Sequence, residues 1–391
     1  GILRRSMRLL IGADLVPTES NYKQFSTGQM GKLMDDKLGL ILEQADFRIF
    51  NLETPLTDVR SPIKKCGPNL IAPEIMINGM NKLNVDFFTL ANNHILDQGE
   101  QGLLSTIKAL DKAGIKYAGA GRSLFKAERP YICKYENLKI GIYCCAEHEF
   151  SIAGGNHGGA NPFDPLVSLD HIFDLKSKVD YVIVLYHGGK EHYRYPSPYL
   201  QRVCRKMVDK GANLVVCQHS HCIGCEEKYG DGNIVYGQGN FLFDGSDSKY
   251  WKTALLIELN VSPKANVSII YHPIIKNGNA VRLANENEQK DIFKEFWKRS
   301  DEIKSDKIVQ EKYDEFATEM LPVYLRALQG KHISSLWFRV LSKFLGKKFV
   351  DKSIRRNYRE KEFLKLWNYF VCEAHNELIR QGMQNETKQS K

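Results

Sequence analysis

Six short apolar runs, each closed by a polar or small residue, constrain this chain most: Leu9 to Ile11, Phe47 to Phe50, Phe87 to Leu90, Ile140 to Cys144, Tyr181 to Leu185 and Leu214 to Cys217. Runs this short, bounded by Gly, Asn or Asp, read as buried strands rather than helices. Segments with apolar residues at helical spacing, among them Gly102 to Ala113 and Tyr199 to Lys210, separate many of them. Strands that alternate with helices build an α/β sheet, and such sheets keep their chemistry beyond the C-terminal ends of the strands.

Those ends carry the residues with chemical capacity. Asp14 follows the first run, Glu53 the second, Asn93 and His94 the third, His187 the fifth, and His219 and His221 the sixth. Carboxylates, an amide oxygen and imidazoles suit divalent ions such as Zn, Mn, Fe or Mg. Ligands from several strand ends can hold two ions about 3.5 to 4 Å apart, bridged by one carboxylate. A single histidine or asparagine at a strand end is commonplace. The ordered set, with two imidazoles of His219-Ser220-His221 on one turn, points to a metal centre.

Composition excludes several alternatives. With 391 residues, 43% of them hydrophobic and 26% charged, the chain can bury a large core and form one or two ordinary globular domains. Its net charge of +9 is modest for that length and unevenly spread, which gives no argument for nucleic acid. No run approaches the roughly 18 apolar residues of a membrane-spanning helix. Strand-like residues begin just after Met7, as in a cytoplasmic chain that starts there; a leader trimmed upstream of Gly1 is the alternative. Nine cysteines, an odd number with Cys133, Cys144 and Cys217 inside apolar runs, read as reduced thiols rather than a disulfide framework. Cys222-Ile223-Gly224-Cys225 has the spacing of a zinc knuckle, but no second pair follows, so neither zinc nor redox chemistry is expected there.

From Ile234 onward the pattern changes. Ile234 to Tyr236, Ala254 to Leu259 and Val267 to Tyr271 leave no room for helices and read as adjacent antiparallel strands closing a domain over 7–280. Residues 281–380 read as an all-helical extension and 381–391 as a polar tail. Between Lys331 and Lys365, eleven Lys or Arg face three acidic residues, an excess of +8. Beside them runs an apolar stripe, Leu336, Trp337, Val340, Leu341, Phe344 and Leu345. The sequence favours packing of this stripe on the catalytic domain; as an amphipathic helix over 333–349 it would instead lie on an anionic membrane surface.

Seven segments resemble the CapA-type capsule and poly-γ-glutamate biosynthesis family. They are Asn51-Leu52-Glu53-Thr54-Pro55-Leu56-Thr57, Ala91-Asn92-Asn93-His94-Ile95-Leu96-Asp97-Gln98-Gly99, Gly119-Ala120-Gly121, His187-Gly188-Gly189-Lys190-Glu191, Gly211-Ala212-Asn213, His219-Ser220-His221 and Tyr236-Gly237-Gln238-Gly239-Asn240-Phe241-Leu242-Phe243-Asp244. The likeness covers roughly residues 7 to 260 with spacing preserved. That family is similar to the calcineurin-like metallophosphoesterases, so the resemblance implies a four-layer α/β/β/α sandwich of two mixed sheets, here with the helical extension at its C-terminal end.

The resemblance also implies roles. Asp14 takes the first-motif aspartate and Glu53 the bridging carboxylate; Asn93, His187 and His219 would hold the second metal, and His221 would complete the first. His94 takes the place of the catalytic imidazole. Val16 stands where many metallophosphoesterases carry a histidine two residues after the first aspartate, which implies a weak first metal site. Glu191 and Asn240 would orient ligands, and Glu147-His148-Glu149 would add a ligand or touch substrate. Gly154 to Gly159 reads as a loop on the substrate side.

The implied activity is metal-dependent hydrolysis of a phosphoester in capsule or surface-polymer metabolism, on a small-molecule or polymer substrate, with water activated by metal as the nucleophile. Two alternatives stay open at this point. One is an accessory protein that binds polymer without hydrolysing it; the other is a metal-dependent amide hydrolase, since amide and phosphoester hydrolysis both need a polarised oxygen and activated water.

Overall fold

A computed structural model describes residues 6–65, 67–262, 267–328, 336–371 and 383, and the chain divides into two compact units, Gly1–Tyr313 and Asp314–Lys391. The first unit's strands begin with β1 (Met7–Val16), β2 (Phe47–Asn51), β3 (Phe87–Thr89), β4 (Lys116–Ala118), β5 (Ala120–Gly121), β6 (Tyr131–Tyr135), β7 (Leu138–Ala146) and β8 (Gly159–Ala160). They continue with β9 (Tyr181–His187), β10 (Leu214–Gln218), β11 (Glu226–Tyr229), β12 (Gly232–Tyr236), β13 (Asn240–Phe243), β14 (Thr253–Val261), β15 (Val267–Asn277) and β16 (Ala280–Leu283). One sheet runs β16-β15-β14-β1-β2-β3-β4 with β13 also paired to β1; the other runs β11-β12-β10-β9-β7-β6. Both are mixed: β1 to β4 are parallel while β14 to β16 pair antiparallel, and β7, β9, β10 and β12 are parallel while β6 and β11 run against them.

Period-two alternation decides the layers, because successive side chains of a strand point to opposite faces. Leu9, Ile11, Ile49 and Phe87 from the first sheet meet Ile140, Ile142, Ile183, Leu185 and Val216 from the second in one shared core. Their neighbours point outward. Leu10, Phe50 and Phe88 pack under the helices Asp36–Glu43 and Gly99–Ala113, whereas Tyr143, Val182, Val184 and Val215 pack under Ser168–Lys176 and Pro198–Asp209. The result is an α/β/β/α sandwich in which the central strands are apolar on both faces, as the uninterrupted runs require. Leu103, Thr106, Ile107 and Leu110 bury one face of the helix Gly99–Ala113, and Leu200, Val203, Cys204 and Met207 repeat that spacing in Pro198–Asp209, which Ser197 caps through Leu200 N.

The strands after residue 234 depart from the sequence reading. β14 and β15 are antiparallel neighbours, but β12 lies in the other sheet, parallel to β10. Chain proximity suggested one meander. Instead the segment from Gly237 crosses to β1, where β13 pairs parallel. Gly239 permits the crossing: its φ is +83°, and a Cβ there would stand 2.7 Å from the Thr253 carbonyl oxygen.

Strand structure ends at Leu283, yet the first compact unit runs on to Tyr313. The helix Glu286–Glu302 starts at an Asn285/Glu288 capping box and buries Phe296 against Tyr271, while Arg299 Nε donates to Gly224 O at 2.8 Å. In the second unit, Leu325, Val350 and Ile354 form a small core between helices Asp306–Leu328 and Lys347–Arg356, with Leu336–Leu345 and Glu360–Val371 completing the described helices. The tail 381–391 except Met383, residues 372–380 and the first residues of 333–349 lie outside the described residues. Among the described residues no helix is long and apolar enough to cross a membrane. Cys222 and Cys225 are buried free thiols, and no metal-ligand cluster among the described residues includes them.

Candidate metal centre

The loops after β2, β3, β9 and β10 converge on Asp14, near the end of β1. Pairing of β1 with β2 shifts register between Ile11 and Asp14, and this irregularity brings Asp14 level with both Asn51 and Asn240. Asn51 Nδ2 donates to Asp14 Oδ1 at 2.6 Å and to Glu53 Oε2 at 3.2 Å. Asn92 Nδ2 in turn donates to Asn51 Oδ1 at 3.0 Å and to Leu52 O at 2.9 Å, and Asn92 Oδ1 accepts from His94 N. Two buried asparagines therefore lock the carboxylates and the loop after β3 into one network.

The imidazoles close the other side. Asn93 Oδ1 lies 3.0 Å from His187 Nε2, and Asn93 Nδ2 donates to Glu149 Oε2 at 3.2 Å. His219 Nε2 is 3.4 Å from Glu149 Oε1, and His221 Nδ1 is 3.1 Å from Asp14 Oδ2 and 2.8 Å from Asn240 Oδ1. Both His219 and His221 hold positive φ, +95° and +53°. Side chains in that region cost of order 1–3 kcal/mol each, a strain that folds retain where function demands the geometry.

Glu53 Oε1 is the focus of the arrangement. It is fully buried and has no hydrogen-bond partner, yet His187 Nε2, His94 Nε2 and His221 Nε2 stand 3.7, 3.9 and 3.9 Å from it. A buried carboxylate oxygen without a donor normally carries a penalty of several kcal/mol. Donors in the sets Glu53/His187/His219 and Asp14/Glu53/His221 all fall within 4.8 Å of one another. A divalent cation among them would satisfy the orphan oxygen, so the residues present fit such an ion.

Protonation behaviour agrees with that shape. Burial, with Asp14 nearby, pushes Glu53 well above the usual carboxylate range. Burial and the neighbouring imidazoles hold His187 far below its ordinary value and bring His219 down to about 3. Burial also opposes charge on Asp14 and His221, but their mutual hydrogen bond outweighs it, lowering Asp14 and raising His221. The shifts of Glu53, His187 and His219 all run against the charged form, as burial of groups without a bound counter-ion requires.

His94 has its own support. Its Nδ1 lies 2.5 Å from Asp97 Oδ2; a carboxylate only accepts, so Nδ1 carries the proton and Nε2 faces the hub. Asp97, fully buried, also receives Leu70 N at 2.6 Å and Lys65 Nζ at 2.5 Å. Ser151 Oγ staples the turn by donating to Asn93 O at 2.8 Å and accepting from Leu96 N at 3.2 Å.

The structure brings Asp14, Glu53, Asn93, His94, His187, His219 and His221 into one hub, with Asn240 on His221 and Glu191 Oε1 4.0 Å from His219 Nε2. Glu147 Oε1 accepts from Gly189 N at 3.0 Å and so holds the turn after β9 that carries Glu191. His148 is exposed beside it. Val16, paired with Phe243 in β13, is buried and offers no donor. Gly158 N donates to Glu100 Oε1 at 2.9 Å, which ties the glycine-rich loop to the helix after β3. Sequence reasoning passed over Lys65, Asn92 and Ser151; Asn92 and Asp97 lie inside the motif around His94 and were the available signal.

A four-layer sandwich of two mixed sheets, with a carboxylate, amide and imidazole hub at its strand ends, is the architecture that the resemblance to the CapA-type family implied. Residues 14–245 match the bacterial capsule synthesis protein PGA_cap, and the chain belongs to that family. It is 30% identical over 227 residues to the capsule biosynthesis protein CapA of Bacillus anthracis, covering 55% of this chain and 54% of that protein. It is 27% identical over 243 residues to a probable polyglutamine synthesis accessory protein of Mycobacterium tuberculosis, covering 58% and 64%. The chain therefore spans between half and two thirds of the length of these relatives. Among solved structures, a novel phosphatase from Mycoplasma pneumoniae aligns over 74% of this chain and 98% of its own, with 14% identity and a TM-score of 0.45.

Proposed function

We propose that this chain is a divalent-metal-dependent hydrolase of capsule or surface-polymer metabolism, acting on phosphoester bonds. The observation that carries the reading is Glu53 Oε1, a buried oxygen with no donor, ringed by three imidazole Nε2 atoms. In this reading Asp14, Glu53 and His221 hold one cation, and Glu53, Asn93, His187 and His219 the other. Bound cations of this kind activate water and offset charge that develops on phosphoryl oxygens.

The chain's own residues do the rest. Asn51 fixes both carboxylates, Asn92 fixes the turn that presents Asn93 and His94, and the half-open hub leaves His94 Nε2 facing the reacting centre. As an imidazolium, His94 would give its Nε2 proton to the departing oxygen, while Asp97 accepts from Nδ1, orients the ring and offsets its positive charge. The test is His94→Ala. Turnover of a phosphoester with a poor leaving group should fall roughly 10²- to 10⁴-fold while metal content stays at the wild-type level. Unchanged turnover would remove His94 as proton donor.

The name of the mycobacterial relative, a probable polyglutamine synthesis accessory protein, favours a second reading, an accessory role in polymer synthesis. It is separated by a screen of phosphomonoesters, phosphodiesters and γ-glutamyl peptides with Mn and Zn. Metal binding without turnover of any of them would favour the accessory role; cleavage of the γ-glutamyl peptides alone would make the chain an amide hydrolase.

A further inference from the structure

We propose that Glu191 is a ligand of the cation between Asp14 and His221, supplying the coordination position that Val16 leaves without a donor. The inference rests on the metal-centre reading above and concerns this chain's departure from the usual ligand set.

On that side of the hub the protein offers Asp14, Glu53 and His221. Val16, two residues after Asp14, is an aliphatic side chain buried in the pairing of β1 with β13 and cannot bind metal. Asn240 commits its Oδ1 to His221 Nδ1, which leaves His221 Nε2 as the nitrogen that faces the hub. A site for a hard or borderline divalent ion gains most from an added carboxylate.

Glu191 is placed to supply one. One of its carboxylate oxygens lies within 4.8 Å of nitrogens from both His219 and His221, and Oε1 is 4.0 Å from His219 Nε2. Among the described residues its carboxylate pairs with His219 alone. The backbone is clamped on both sides of it. Gly188 N donates to Gln218 O at 3.0 Å and Gly189 N to Glu147 Oε1 at 3.0 Å; on the other side His192 N donates to Ser220 O at 2.8 Å. Ser220 stands between the two histidines, so the turn that carries Glu191 is bonded to the turn that carries the imidazoles. Gly189, at φ +120°, gives the first clamp its shape. Independently of these carboxylates, the donorless and fully buried Glu53 Oε1 marks the space between them as a cation position. Glu149 is the counterpart on the other side, where it meets Asn93 and His219.

The test uses Mn²⁺ alone. The full chain, stripped of metal, is titrated by calorimetry and by the loss of the free-ion electron paramagnetic resonance signal. Wild type is expected to bind two ions per chain, and Glu191→Gln to weaken one of them by about tenfold or more, with the metal-free melting temperature unchanged because Glu191 is exposed. Adding Val16→His to Glu191→Gln should recover the lost affinity if the two positions serve one coordination site. Wild-type affinities in a folded Glu191→Gln variant would overturn the proposal and leave the metal centre standing; a wild type that binds no Mn²⁺ would overturn both. Metal binding as expected with no turnover would count only against hydrolysis. Should Glu191→Gln fail to fold, a crystal of the Mn-loaded wild type decides: a Glu191 oxygen within about 2.5 Å of the ion beside Asp14 supports the assignment, and one beyond direct-bond distance overturns it.

Discussion

The first unit hides polar groups inside apolar layers, and the second does the reverse. Asp14, Glu53, Asn93, His187, His219 and His221 are all buried at or just past the strand ends, whereas Val340, Leu341, Phe344, Leu345 and Phe349 are exposed beside Lys343, Lys347 and Lys348. Phe344 is 84% exposed, and the described core of that unit is Leu325, Val350 and Ile354 with a few neighbours. Buried polarity fixes geometry, and its cost is offset by the sheets that surround it; apolar side chains left exposed on a helical unit do not define its own small core.

Four substitutions can break or sharpen that contrast. Glu53→Gln should have the largest effect, abolishing tight binding of both divalent ions in a metal titration, because it alone belongs to both ligand sets. Retention of two tight ions would show that the hub is not organised around Glu53. Lys65→Met comes next. It leaves Asp97 buried without its cation, and chemical denaturation should show a loss of about 3–5 kcal/mol, the scale for breaking one partner of a buried pair.

Smaller at any one pH step is the pH term of His219. Its folded value of about 3 lies below its ordinary 6.5, so the unfolded chain binds the proton first as pH falls. Its contribution to stability is present above pH 6.5 and drains away down to about pH 3, at no more than about 1.4 kcal/mol per pH unit. Metal-free His219→Gln should therefore gain on wild type as pH is lowered through that window, and parallel stability curves would contradict it. Phe344→Ser should be the mildest, within about 0.5 kcal/mol of wild type. A core-sized loss would place Phe344 in a packed interior and end the contrast. Sedimentation of the full chain with and without anionic vesicles then reads out whether this basic, apolar face takes to a lipid surface.

The sandwich was legible because its central strands are apolar on both faces and end in polar residues, as Tyr181 to Leu185 followed by His187 shows. β12 misled because chain neighbours usually pair; the crossing between sheets shows only in long-range contacts, the pairing of β13 with β1 and the bonds of Gln238, whose Nε2 donates to Ile11 O and whose Oε1 accepts from Gln218 Nε2. The helix Glu286–Glu302 looks like extension from its period alone, since amphipathicity says that a face is covered but not by what. Lys65 was invisible for a related reason: it sits in an irregular loop 32 positions before Asp97, where no period links the two.

The hub takes its donors from both sheets: Asp14, Glu53 and Asn93 stand at or past strand ends of one, and His187, His219 and His221 at or past strand ends of the other. A cation bound there would act as a rivet through the sandwich, because the unfolded chain does not assemble these donors. Resistance to unfolding should then rise with the logarithm of free metal concentration, about 1.4 kcal/mol for each tenfold excess over the dissociation constant per ion. Scarcity of metal would loosen the whole sandwich as well as silence its chemistry, so that supply of the ion becomes a control on how long the protein lasts.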